Sequence, residues 1–550
     1  MGRRAGAGGG GDGTGGVRTP GGPPPSLAVV FENAYRWHAN DIAIVNGGRQ
    51  TTYAELGRRV RGLAEALLSF GLVPGDRVII LLGNSREFLE TEQALFITGL
   101  VRVALNTRLH SREVAGIAND CGARLLVTDM PRAEGLRPLL TQMPGLLRIV
   151  IAGDASGHET VPGAVPYEEE IGSGLEVSPD VPMPGGEDVA ALMYTSGTTG
   201  APKGATLTHR NWVGMIRNLM AELPTMDDTD LVLQVAPMSH LSGSVGTAYS
   251  ARGAAQTFLP RFEPRQVLQT IQELGVTAMT VVPTMLNALT AAKEAGEFDT
   301  SSVRSIPYGG SAIAPRSLAR AHNVFGEVLV QVYGLSEALV PLAALPPAAH
   351  RHEVGRPLPS RLGAAGRVSP FVELRVAGED GAELARGEVG EIIVRGDTVM
   401  AGYWGRPDLT AEMIDGEGWA KTGDLGFLDE EGLLRIVDRK KDVIVSGGFN
   451  VYPAEVERVI DRLEDVEEVV VIGTPNERWG EAVKAVVVRK PGSEIDAEAV
   501  IQACRAELAG YKKPVEVEFV EQLPKTSTGK VLRRELRDRQ WAGKDRSVGQ

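Results

Sequence analysis

Short apolar runs alternate with amphipathic stretches along most of the chain. Residues 42–45 and 50–52 read as two short strands around the turn Asn46-Gly47-Gly48. Thr52-Tyr53-Ala54-Glu55 has the capping-box pattern, and apolar positions at helical spacing run on to about Phe70, where Gly71 supplies a stop. Residues 77–82 form the next apolar run, and helix and strand signals continue through 124–128. Further strands are expected at 189–193, 231–236, 277–282, 305–308 and 328–332. Helices alternating with short apolar strands predict α/β architecture with largely parallel sheets. Between 367 and 437 the pattern changes to short β signals punctuated by glycine, which predicts a smaller, more antiparallel subdomain. The last block places strands at 469–472 and 482–488 and helices from Pro453 and over 497–508, a compact α+β unit. The expected fold class is therefore α/β. A large N-terminal domain of doubly wound α/β subdomains plus a small β subdomain covers 26–438, and a small α+β C-terminal domain covers 443–550.

Composition adjusts this picture at the edges. Residues 1–25 are mostly Gly, Pro, Arg and Ala without an apolar core, so they read as a disordered tail and not a secretory signal. Residues 154–187, rich in Gly, Pro and acids, read as a surface connection. A net charge of −13 argues against nucleic acid as the main ligand. Cys121 and Cys504 form no metal spacing and no disulfide framework, which points to a reducing, cytoplasmic setting. The most apolar segment, 94–105, is interrupted by Arg102 and is too short to span a bilayer.

The densest chemistry follows the run at 189–193: Tyr194-Thr195-Ser196-Gly197-Thr198-Thr199-Gly200-Ala201-Pro202-Lys203-Gly204. Glycines let the backbone approach a ligand, successive N–H groups make an anion cradle, hydroxyls add donors and Lys203 adds charge. Such a loop suits a polyphosphate, although it is not the GxxxxGK[ST] phosphate loop. Six more segments carry candidate chemistry. Pro237-Met238-Ser239-His240-Leu241-Ser242-Gly243 puts a histidine just past a strand end, where open α/β sheets bind ligands. Gly309-Gly310-Ser311 allows a flat group to lie on the backbone, and Tyr333-Gly334-Leu335-Ser336-Glu337 offers a hard carboxylate suited to Mg²⁺. Asp424 stands in Lys421-Thr422-Gly423-Asp424 and offers one carboxylate. The charge run Asp438-Arg439-Lys440-Lys441-Asp442 separates two globular stretches. Pro524-Lys525-Thr526-Ser527-Thr528-Gly529-Lys530 ends on a lysine in a polar loop.

Together, in this order, these motifs resemble those of the adenylate-forming enzymes: acyl-CoA synthetases, peptide-synthetase adenylation domains and beetle luciferases. The resemblance spans about 27–536 and departs from the usual Tyr-Gly-x-Thr-Glu only in Ser336, which keeps a hydroxyl. It implies that ATP is held by Thr195, Ser196, Gly197, Thr198, Thr199, Lys203, Gly309, Gly310, Ser311, Tyr333, Asp424, Arg439 and Gly448. It further implies Mg²⁺ at Glu337, catalytic roles for Lys530, Ser336, Glu337 and His240, and a hinge at 439–442 centred on Lys441 about which the C-terminal domain moves. The reaction implied is attack of a carboxylate on the α-phosphorus of ATP, followed by transfer of the acyl group to a thiol, foremost that of coenzyme A.

For the acid, Leu241, Ser242, Gly243, Gly246, Val282, Met285, Gly309 and Gly334 outline an apolar pocket with no charged partner for a substrate amine. A fatty acid fits it, as does a cinnamate-like aryl acid, and the fatty-acid–CoA ligase type leads. A carrier-protein thiol or another nucleophile is the alternative to coenzyme A. A luciferase-type oxygenase and a non-catalytic nucleotide-binding regulator are the further alternatives. A monomer or homodimer without nucleic acid or a membrane-spanning segment is expected.

Overall fold

Strand Arg77–Leu81 is the centre of an eight-stranded sheet. It pairs in parallel with Val101–Ala104 on one side and Leu125–Asp129 on the other. Arg148–Ala152 and Ala164–Pro166 extend the sheet outward, and Val189–Thr195 joins Val101–Ala104. From Val78 on the strand is apolar because both faces are covered: Val78 and Ile80 enter one core, Ile79 and Leu81 the other. The computed structural model describes residues 25–171, 182–195, 202–476, 478–525 and 531–541.

The apolar run 94–105 divides between two elements. Helix Arg86–Thr98 ends at Gly99, whose φ of 71° turns the chain into Val101–Ala104. Arg102 there is buried and paired with equally buried Glu92. The capping box expected at Thr52 is half made: Thr52 accepts the Glu55 N–H at 3.2 Å, while the Glu55 carboxylate takes Arg49. The stretch 154–187 is more than a surface connection. It supplies the edge strand Ala164–Pro166 and the short helix Tyr167–Ile171. Tyr167 is buried, with its hydroxyl 3.0 Å from Glu90, a single anchor that the polar composition around it conceals.

The second sheet positions most of the candidate chemistry. Ile42–Asn46, Ala255–Phe258, Leu231–Gln234 and Ala278–Met279 run parallel, with Arg49–Thr52 closing one edge. Bridges Ala278–Ser305 and Val281–Tyr308 lead on to Ile306–Gly309, which pairs in parallel with Leu329–Tyr333. Four successive parallel strands thus deliver the loops that follow them to one edge, the place where open α/β sheets bind ligands.

Strands Glu373–Ala377, Gly390–Arg395, Ala420–Leu428 and Leu434–Arg439 form the expected antiparallel sheet. That block is not self-contained, however. Arg367–Val368 extends the second sheet, and Gly402–Tyr403 pairs with Lys203–Thr208 of the first. The C-terminal unit is built on the hairpin Val466–Asn476 and Gly480–Arg489, with Glu516–Val520 parallel to the latter. Helices Pro453–Ile460 and Ala497–Glu507 cover one face, and helix Arg533–Trp541 packs Leu536 on the other. The fold is mixed α/β, with a large N-terminal and a small C-terminal domain. No helix among the described residues is long and apolar enough to cross a membrane.

Two buried histidines make stability depend on pH. His350 Nδ1 lies 3.0 Å from the Pro346 carbonyl and Nε2 lies 2.8 Å from the Tyr308 hydroxyl. A carbonyl only accepts, so Nδ1 carries the proton, and burial disfavours a second proton on the ring. Burial pulls the pKa of His350 down from 6.5 to about 4, and burial does the same at His209. The unfolded chain therefore binds more protons between these values, and stability falls as pH drops from 6.5 towards 4, by up to about 1.4 kcal/mol per unit for each histidine. The denaturant midpoint is expected to be lower at pH 5 than at pH 7.5, with a shallower dependence in His350→Gln. An unchanged slope in that variant would rule out His350 as a source.

Candidate active site

Val189–Thr195 and Lys203–Thr208 form an antiparallel hairpin closed by the pair Thr195–Lys203. Its connection is the hydroxyl- and glycine-rich loop. Ser196, Gly197, Thr198 and Thr199 lie outside the described residues, as does Lys530. The ends of the hairpin are anchored. The Tyr194 hydroxyl donates to Asp120 at 2.5 Å, and the other oxygen of Asp120 takes Arg406 at 2.6 Å. The Tyr194 ring lies across Gly204, where a Cβ would stand 3.1 Å from it.

Lys203 and Glu337 come together around Tyr403. The Lys203 ammonium lies 5.5 Å from the centre of the Tyr403 ring, and the Tyr403 hydroxyl donates to Glu337 Oε1 at 3.0 Å. Burial, helped by the adjacent carboxylate, pushes this phenol up, so it remains a donor. Glu337 and Ser336 are half-buried, and Glu337 Oε2 has no hydrogen bond among the described residues. One carboxylate and a hydroxyl are a donor set that fits Mg²⁺, which keeps most of its shell for water and phosphate oxygens.

Three predicted residues meet at the junction of the second sheet and the small sheet. Buried Asp424 accepts from the Tyr333 hydroxyl at 2.7 Å and pairs with Arg439 at 2.9 Å. The register opposes Asp424 to Arg439 on adjacent strands, so the pair is dictated by the ladder. Burial and the neighbouring Asp424 raise the Tyr333 phenol far above its ordinary range, and its proton stays in place. Two carboxylate oxygens have about four acceptor positions, so room is left for ribose hydroxyls.

The residues expected to border the acid lie along the strand ends. His240 stands at the N-cap of helix Leu241–Ser250, with Nδ1 2.7 Å from Ser239 Oγ. Half-buried Val282 and buried Met285 open helix Pro283–Glu294, and Gly309-Gly310-Ser311 follows its own strand. The glycines have a different reason from the one expected. A Cβ on Gly243 would lie 2.0 Å from the Met238 carbonyl oxygen, and one on Gly246 would lie 2.1 Å from Gln234 Nε2. At Gly309 and Gly334 the space is taken by Val332 and Val340. These glycines admit close packing and do not open a cavity.

Residues that local reasoning missed hold this edge in place. Asn84 Nδ2 donates to the carbonyls of Gln234 at 3.1 Å and Ala236 at 3.0 Å, and Asn84 Oδ1 accepts Met238 N–H at 2.9 Å. Arg102 Nη2 reaches the Met238 carbonyl at 3.2 Å. Arg102 of the first sheet and Asn84 of the loop after its central strand thus grip the strand end that carries His240. Asn84, in Gly83-Asn84-Ser85, reads locally as a turn residue, and only the long-range contact reveals its use.

The charge run is held from the C-terminal helix. Lys440–Asp442 makes a single turn after Leu434–Arg439. Arg533 donates to Asp438 at 3.2 Å and to Glu457 at 2.6 Å, and Arg537 reaches the Lys441 carbonyl and Asp442 at 3.3 Å. The helix starting three residues beyond Lys530 is therefore tied to the expected hinge. Gly448 belongs to the C-terminal unit, in the two-residue turn between Ile444–Ser446 and Phe449–Val451.

Comparison with known proteins matches the same regions. Residues 30–404 match the AMP-binding enzyme family and 455–530 match the AMP-binding enzyme C-terminal domain. A feruloyl-CoA synthase of an Amycolatopsis species is 40% identical over 506 residues, covering 92% of this chain and 97% of that protein. A fatty acid–[acyl-carrier-protein] ligase of Streptomyces coeruleorubidus is 37% identical, with 92% and 95% covered. Among solved structures, ATP-bound MatB from Rhodopseudomonas palustris superposes with a TM-score of 0.83 at 30% identity, covering 93% of this chain and 98% of that one.

Proposed function

The chain belongs to the AMP-binding enzyme family, within the adenylate-forming superfamily, and on that premise we propose that it joins a planar aryl or arylpropenoic acid to coenzyme A. It is an AMP-forming acid–thiol ligase. In the first half-reaction a carboxylate oxygen of the acid bonds to the α-phosphorus of ATP and the bond to the β-phosphate oxygen breaks, releasing pyrophosphate. The carboxylate is already ionised, so no base is needed. The barrier is the approach of two anions, and fixed positive charge and positioning lower it.

Within this reading, Lys203 and the loop from Thr195 hold the phosphates, Asp424, Tyr333 and Arg439 hold the ribose, and Gly309-Gly310-Ser311 borders the adenine. Glu337 and Ser336 would hold Mg²⁺, which when bound neutralises phosphate charge. Lys530 supplies charge at the reacting phosphate. In the second half-reaction the sulfur of coenzyme A bonds to the acyl carbon, AMP leaves and the thiol proton passes to water. The C-terminal domain turns about Lys441 between the halves, exchanging the Lys530 loop for the thiol entrance. The reading extends to a cytoplasmic enzyme, monomer or homodimer.

The observation that carries the choice of acid is the packed floor beneath helix Leu241–Ser250. Gly243 and Gly246 press it onto the Met238 carbonyl and the Gln234 amide. Gln234 Nε2 donates to Gln256 Oε1 at 2.7 Å, and Gln256 Nε2 donates to Ser250 at 2.6 Å. Both amides are fully buried. A polar, filled floor favours a short flat acid over a long alkyl chain, and the similarity to a feruloyl-CoA synthase agrees. Similarity to a fatty acid–[acyl-carrier-protein] ligase keeps a fatty acid, and a carrier-protein thiol, as the second reading.

AMP formation measured across benzoates, cinnamates, hydroxycinnamates and straight-chain acids, with coenzyme A, with a carrier protein and with neither, separates the two. The expected result is the highest kcat/KM for a hydroxycinnamate with coenzyme A. A kcat/KM that climbs with alkyl chain length would overturn the aryl reading.

A further inference from the structure

The segment after strand Gly390–Arg395 ties two parts of the nucleotide site together. Leu339 N–H donates to the Thr398 carbonyl and Met400 N–H to the Glu337 carbonyl, both at 2.9 Å. Directly after, Ala401 N–H donates to Thr206 at 2.9 Å and Trp404 N–H to Gly204 at 2.8 Å. Between them Gly402 and Tyr403 pair with Thr206 and Ala205. Gly402 has a φ of 145°, and a Cβ there would stand 2.6 Å from the Thr410 side chain. Thr410 Oγ1 in turn accepts the Tyr403 N–H at 2.9 Å. The backbone at Tyr403 is therefore fixed on both sides.

The side chain lies between opposite charges. Its ring face meets the Lys203 ammonium and its hydroxyl meets Glu337 Oε1. Among the described residues Lys203 and Glu337 form no ion pair with each other. A lysine and a glutamate free to collapse together would neutralise one another and serve neither phosphate nor metal. An aromatic ring attracts a cation through its face, and a phenol donates to a carboxylate, so one side chain can hold both without letting them join.

We propose that Tyr403 is a positioning residue of the nucleotide site, a spacer that holds Lys203 and Glu337 apart and available. This rests on the reading that Lys203 and Glu337 serve ATP and Mg²⁺. The ring and the hydroxyl have separable effects. Loss of the hydroxyl releases Glu337 and weakens the response to metal. Loss of the ring as well lets Lys203 pair with Glu337 and weakens ATP binding even without metal.

The test is titration of ATP binding to the full-length protein by calorimetry, in EDTA and across Mg²⁺ concentrations, with thermal unfolding alongside. For Tyr403→Phe the half-saturating Mg²⁺ concentration is expected to rise by roughly three- to tenfold, with ATP affinity in EDTA unchanged. For Tyr403→Leu, ATP affinity in EDTA is expected to fall by roughly three- to tenfold as well, and that loss should vanish in a Lys203→Met background. A wild-type Mg²⁺ curve in Tyr403→Phe, or the same loss in the Lys203→Met background, would overturn the proposal. Glu337→Gln separates it from the premise. If that variant also leaves the Mg²⁺ dependence unchanged, the assignment of Glu337 fails; if it shifts the curve and Tyr403→Phe does not, the spacer alone fails.

Discussion

Lys530→Ala is expected to slow acyl-adenylate formation by about 10²–10³-fold while leaving thioester formation from supplied acyl-adenylate near the wild-type rate. The magnitude is that of removing one preorganised electrostatic contact to developing charge. The asymmetry has a physical origin. The first half-reaction brings a carboxylate to a phosphate, so a cation at the reacting centre lowers the barrier. The second displaces AMP, already a good leaving group, with a sulfur nucleophile. The lysine is carried by the small domain, and the helix that begins three residues later at Arg533 is tied to Asp438 and Glu457. That helix is thereby linked to the charge run at 438–442. Acid-dependent pyrophosphate exchange and single-turnover thioester formation read the halves separately. Equal loss in both would remove Lys530 from the role of adenylation lysine.

What could be read from the sequence was mostly what is local. The strand at 189–193 with the loop after it, and the strand ends at His240, Gly309 and Tyr333, follow from apolar runs and the loops that end them, whereas Asp424 and Arg439 stand out only through the resemblance to the adenylate-forming enzymes. The parallel sheet then brings those loops to one edge without further information. Partners distant in sequence were not legible. Tyr403 belongs to a two-residue strand that pairs nearly 200 positions away, inside a block that otherwise reads as a separate antiparallel subdomain. Asn84 looks like a turn residue until its amide is seen bridging another sheet. The pocket glycines failed for a related reason. A missing side chain can mean room for a ligand or a close backbone, and only the distance from Gly243 to the Met238 carbonyl decides which.

Arg102 is the strongest case of a residue whose meaning reversed. In the sequence it interrupts an apolar run. In the structure Arg102 Nε donates to Glu92 Oε1 at 2.6 Å, and both side chains are 1% exposed. The guanidinium also lies over Phe88 and Trp212. Burial raises the Glu92 pKa above its ordinary value, and the Arg102 guanidinium beside it opposes that shift. Breaking the pair from one side strands a buried charge, and Glu92→Leu or Arg102→Met alone is expected to cost about 3–5 kcal/mol of stability. Removing both charges leaves apolar groups of similar volume, and the Glu92→Leu/Arg102→Met double variant is expected to recover most of that loss. Denaturant midpoints for the two singles and the double measure the coupling, and additive losses would refute it. The double variant also isolates function from folding. It still lacks the hydrogen bond from Arg102 to the Met238 carbonyl, so the strand end bearing His240 is held from the first sheet by Asn84 without it. The KM for the acid is expected to rise by about tenfold, the worth of a charge-assisted hydrogen bond, with the KM for ATP unchanged. Parallel rises in both constants would mean that the buried pair supports the whole domain and does not specifically hold the acid edge.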